Sequence, residues 1–180
     1  MSDATSEAAG EPLPLRLLDR VSLATNIVGS TLIFGLMLLI GFDVAGRNLF
    51  GAPISGVPEI VSLSIVAIVF LQAPQTLRAG RMPRSTALLD ALSKKVPRMV
   101  TVMEDLWDLV GMAVLGTIVW ATWPRLLREY ERGTFVGAVG DFTAPTWPMK
   151  ATIVVGGALL VLQFAGRIWR RHLARHGALA

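Results

Sequence analysis

The sequence predicts an all-α integral membrane protein of four helices, with a short interfacial amphipathic helix between helices two and three. Three observations carry this. Val21 to Phe42 contains no Asp, Glu, Lys or Arg, and about 20 helical residues suffice to cross a hydrocarbon core of about 30 Å. Of the whole chain, 53% is hydrophobic and only 17% charged, whereas a soluble domain carries about 25% charged residues. The five tryptophans fall at the ends of the apolar runs, where the amphipathic indole favours the membrane–water interface.

Composition also excludes whole classes of chemistry. There is no cysteine, so disulfides, iron–sulfur ligation and thiol catalysis are out. His172 and His176 lie beyond the last apolar run, so no axial haem ligand sits inside a bundle. They stand one turn apart without a third ligand beside them, which makes a poor metal site. The net charge of +4 does not indicate nucleic acid, because the basic residues cluster beside apolar runs, where they set membrane orientation.

Residues 1–15 read as a polar, disordered arm. Asp3, Glu7 and Glu11 stand where a secretory signal carries positive charge, so the first apolar run is expected to be a retained anchor. The membrane domain covers 16–171, with spans at about 21–42, 58–77, 104–124 and 147–169, and 172–180 form a tail. In span one, Ser22, Asn26 and Ser30 share a face with Thr25 and Gly29 beside it. Small and weakly polar faces in lipid meet other helices. The turn from Asp43 to Glu59 contains Gly51, Pro53, Gly56 and Pro58, which break helix and make spans one and two antiparallel neighbours.

Span two opens near Pro58, a good first helical residue. Pro74 frees a carbonyl one turn back, which predicts a kink or an early end. From Arg78 to Arg98 a basic segment carries a leucine face and is expected to lie in the headgroup plane. Span three has a stripe of Ala113, Thr117 and Ala121 for close packing. Glu104, Asp105 and Asp108 precede it. A charge at mid-bilayer costs about 2.5–3.5 kcal/mol, so Asp108 belongs near the interface or inside the bundle. The acids are expected to neutralise the basic middle loop rather than to form an ion path. Arg125 to Lys150 reads as a polar connection, and Thr146 as the start of span four.

Orientation follows from the basic residues. Twelve of the 17 Lys and Arg fall on the side of the termini and middle loop, and five on the other. The excess belongs in the cytoplasm, so both termini are expected there.

The string DVAGRNLFGAPISGVPE resembles the small membrane subunit of tripartite ATP-independent periplasmic (TRAP) transporters. That family has an Arg, then a Pro, then a Glu opening helix two, and Arg47, Pro53 and Glu59 match. In FLQAPQTLRAGR, Arg78 and Gly80 fit. TAPTWPMK and GGALLVLQF fit the opening and end of helix four, including Gln163. The resemblance covers about Arg16 to Arg171. Where the family often has a His and then an Asp after that Gly, this chain has Met82 and Thr86.

The resemblance implies a non-catalytic part of a sodium-coupled secondary transporter. Its partners would be a large permease subunit, which carries the substrate and sodium sites, and a periplasmic binding protein that delivers an organic acid. The small subunit would be the fixed scaffold. No catalytic residue, cofactor or metal is assigned. Arg47, Glu59, Arg78 and Gln163 are the candidate structural or partner contacts, with Arg47 and Glu59 expected to pair across the outer turn or to contact the partner subunit. The runner-up is a membrane anchor subunit of an oxidoreductase.

Overall fold

The computed structural model describes residues 12–80, 97–138 and 142–175. The interfacial helix expected after Arg78, the positions of Met82 and Thr86, most of the N-terminal arm and the end of the tail lie outside these residues. Among the described residues, four helices run in alternating directions: α1 (Leu13–Phe50), α2 (Val57–Arg78), α3 (Pro97–Arg132) and α4 (Trp147–Arg175). All four are long and apolar enough to span a membrane. Between α3 and α4 lies a two-stranded antiparallel hairpin, β1 (Phe135–Ala138) and β2 (Phe142–Pro145).

The helices exceed the expected spans. α1 has 38 residues and α3 has 36, about 55 Å each at about 1.5 Å per residue, nearly twice a hydrocarbon core of about 30 Å. α1 begins with a proline in its first turn and ends where Gly51 takes a left-handed conformation at φ 64°. That geometry is easy for glycine and closes helix C-termini. α2 begins after Gly56, also left-handed at φ 83°. It runs through Pro74 to Arg78 rather than ending at the proline, because its last turn is anchored by Leu77 and Arg78 against neighbouring helices.

Packing is asymmetric. α4 contacts α3, α2 and α1, while α1 packs mainly on α2. Thus α2 and α4 occupy the middle and α1 and α3 flank them. The centre is possible because α4 carries two glycines side by side. A Cβ on Gly156 would run into the carbonyl oxygen of Phe70 on α2, and one on Gly157 would meet Val119 of α3 at 2.7 Å. Gly29 similarly makes room for Gln72, and Gly111 for the Phe164 ring. Without a water-driven hydrophobic force in lipid, such close backbone approach supplies the dispersion contacts.

On the α1 face of Ser22, Asn26 and Ser30, Ser22 and the adjacent Gly29 are buried and Asn26 and Thr25 half-buried, while Ser30 is exposed beside Gln72 of α2; Ala113, Thr117 and Ala121 point outward. That stripe is not an internal packing seam of this chain. The outward faces of α1 and α3 are otherwise large apolar side chains, suited to lipid or to another membrane subunit.

The close α2–α4 crossing generates a direct test. Gly156→Val must displace backbone rather than a flexible side chain, and overpacking of this kind costs about 1–3 kcal/mol. The thermal midpoint of the protein in detergent is expected to fall. Gly35→Ala, where a Cβ meets nothing within 4 Å, is expected to leave it unchanged.

Candidate functional site

The alternating helices bring the N-terminal ends of α1 and α3 beside the C-terminal ends of α2 and α4. The first pair carries Asp19, Glu104, Asp105 and Asp108, with Arg16 and Arg20 beside Asp19, and the second carries arginines. Two clusters result.

In the first, Asp19 of α1 is the hub. Arg170 of α4 donates from Nη2 to both of its oxygens at 2.9 Å, and Arg78 of α2 reaches it through Nε at 2.7 Å. Gln163 of α4, only 1% exposed, donates from Nε2 to Asp19 at 3.2 Å and to the Ser22 hydroxyl at 2.9 Å. One carboxylate therefore joins three helices.

In the second, Asp108 of α3 is 1% exposed. Arg167 donates to it from Nε at 3.0 Å and also from Nη2, and Arg171 donates from Nη2. Arg171 also pairs with Asp105 at 2.9 Å and Glu104 at 3.2 Å. The Arg167 guanidinium lies over the Phe164 ring, 5.5 Å from its centroid. The three acids thus find described partners on α4 rather than only neutralising the middle loop, and Asp108 turns into the bundle.

The opposite end is tied differently. Asp43 accepts the Ile54 N–H at 2.8 Å and pairs with Arg47 at 2.9 Å, stapling the α1–α2 turn. On the other side, Glu129 of α3 accepts from the Thr146 hydroxyl at 2.7 Å and pairs with Lys150 of α4. Tyr130 meets Trp147 edge to face at 5.6 Å. The hairpin reaches over so that the Phe142 ring sits against Gly56; any Cβ there would collide with it. A cleft of about 290 Å³ opens beside the hairpin, lined by Pro58, Glu59, Ser62, Leu63 and Val136.

The four candidate residues separate accordingly. Arg78 and Gln163 come together on Asp19. Arg47 and Glu59 do not meet: Arg47 turns back one helical turn to Asp43, a favourable i,i+4 spacing, and Glu59 faces the cleft. The expected Arg47–Glu59 pair is therefore replaced by Asp43–Arg47. Sequence reasoning missed Asp19 and Asp43 as hubs and the arginines at 167, 170 and 171 as a clamp. Their i, i+3 and i+4 spacing on the last turns of α4 was the available signal. It also missed the hairpin, although Phe135–Val136 and Phe142–Thr143 flank a glycine-bearing centre.

Burial decides which of these pairs matters. Removing one partner of a buried pair costs about 3–5 kcal/mol, and an exposed pair is worth at most about 1 kcal/mol. Asp108→Asn leaves two arginines of α4 short of a carboxylate and is expected to lower the thermal midpoint sharply. Arg47→Gln removes a side chain that is 61% exposed and is expected to cost little. Comparable losses in the two variants would contradict this ranking.

Residues 36–173, more than half of the chain, match the family described as tripartite ATP-independent periplasmic transporters, DctQ component. In these transporters DctQ works with DctM and DctP. No curated relative and no solved structure matches the chain. The family is a transporter component and not an enzyme, which leaves the oxidoreductase-anchor reading without support. With four membrane-spanning helices and a match over most of its length, the chain belongs to the DctQ family, the small permease component of the TRAP transporters.

Proposed function

We propose that this chain is a fixed wall against which the large permease subunit moves, in sodium-coupled uptake of an organic acid delivered by a periplasmic binding protein. The observation that carries the reading is the clamp. α4 holds α1, α2 and α3 through buried carboxylates shared among arginines. Breaking such pairs is costly, so the chain has reason to move as one body. Alternating access needs one element to stay put while another rocks, and a helix set locked in this way suits the stationary part.

The outward apolar faces of α1 and α3 offer lateral surface for the large subunit. Glu59, in its cleft with no ion-pair partner among the described residues, is a candidate contact for a basic side chain of that subunit. Arg78 is 42% exposed and is a second candidate. The excess of basic residues around the termini supports placing both in the cytoplasm, with the hairpin and the Glu59 cleft on the periplasmic side of a bacterial inner membrane. The segment after Arg78 would then lie along the cytoplasmic headgroups.

Two measurements test this. Ser30→Cys and Gln72→Cys, whose side chains meet between α1 and α2, can be joined by a short thiol cross-linker in a chain with no native cysteine. Uptake by the reconstituted transporter is expected to survive the cross-link; its loss would mean these helices must move. Glu59→Gln is expected to weaken recovery of the large subunit on co-purification. Unchanged recovery and unchanged uptake would remove Glu59 from the interface.

A further inference from the structure

The two ends of the clamp differ in charge balance. Arg167 and Arg171 are matched by Asp108, Asp105 and Glu104. Around Asp19 the count fails. This single carboxylate already serves Arg78 and Arg170, and Arg16 and Arg20 stand beside it on α1 with no carboxylate partner among the described residues. The Nε of Arg16 is buried without a hydrogen-bond acceptor. An unneutralised cationic cluster attracts an anion.

The shape of the surface says which anion. Arg16, Arg20, Leu23 and Ile27 follow one another at spacings of four, three and four residues, so they form one stripe along α1. Leu23 and Ile27 are about half exposed. The stripe is cationic at the helix end and apolar toward the membrane centre. Free phosphate would use only the first part; a phospholipid uses both.

We propose that Arg16, Arg20 and Arg78 bind the phosphate of an anionic phospholipid whose acyl chain lies along Leu23 and Ile27. Arg78 keeps its Nε on Asp19 while its side chain remains partly exposed, and guanidinium groups match phosphate oxygens in fork geometry. The lipid would complete the charge balance of the α1–α2–α4 cluster. The site depends on the chain being embedded in a bilayer, and not on which way round it sits or on the scaffold reading.

The test uses the full chain in nanodiscs of phosphatidylcholine, with and without phosphatidylglycerol. Phosphatidylglycerol is expected to raise the thermal midpoint of the native protein by several degrees. Arg16→Gln/Arg20→Gln is expected to lose most of that gain, while Arg125→Gln/Arg132→Gln, at the opposite end, keeps it. Equal gain in the Arg16/Arg20 variant, or none in the native protein, overturns the proposal. So does inorganic phosphate reproducing the full gain with no lipid present, because the ligand is then a free anion. Should the double variant not fold, native mass spectrometry of the unaltered protein decides. Retained phosphatidylglycerol in preference to phosphatidylcholine supports the site, and no preference sinks it.

Discussion

Two buried carboxylates hold this molecule together. Asp19 and Asp108 lie on helices that enter from the same end; Asp19 is shared by Arg170 of α4 and Arg78 of α2, and Asp108 by Arg167 and Arg171 of α4. An isolated carboxylate buried between helices is expensive, and so is an isolated guanidinium. Their costs cancel only when the helices stand in one arrangement. The pairs therefore select that arrangement even if their net contribution to stability is modest. The glycines of α4 complete the constraint, since the helix must come close enough for its arginines to reach both sides.

α4 is consequently the axis of the fold. Gly156 and Gly157 let it wedge between α2 and α3, and its last turns carry Gln163 and the arginines at 167, 170 and 171. The other end is closed by less costly means: the Asp43 staple, the Glu129–Lys150 pair, and the hairpin that seats Phe142 on Gly56. These ties surround the Glu59 cleft without filling it. One end of the molecule is locked by charge, and the other presents a cap with an open recess.

Much of this was legible beforehand, and the reasons differ by feature. Membrane spans announce themselves through long uncharged runs such as Val21 to Phe42, because lipid tolerates little else. The alternating course follows from the count of helices and the Gly/Pro turn before Glu59. The four-residue spacing of Ser22, Asn26 and Ser30 pointed to the side of α1 that meets α4 and α2, although Ser30 itself is exposed. Pairing was harder. Arg47 has two acids within reach in sequence, Asp43 and Glu59, and only the geometry of the turn shows that Ile54 draws Asp43 into place. The Ala113, Thr117 and Ala121 stripe reads as a packing face within the subunit or against a partner, and its outward position removes the first of these. The contact between Asp19 and α4 spans almost the whole chain, and no local pattern reports that.

The most direct test of the clamp is a distance measurement between the helices it joins. Spin labels at Leu17 and Val102, both exposed and on α1 and α3 near the charged end, can be read by pulsed electron resonance in a chain free of native cysteine. The account predicts one narrow distance distribution for the otherwise unaltered protein, and a broad one when Asp19 and Asp108 are both changed to Asn. Equally narrow distributions in the two proteins would show that the helices keep their places without the shared carboxylates, and would contradict it.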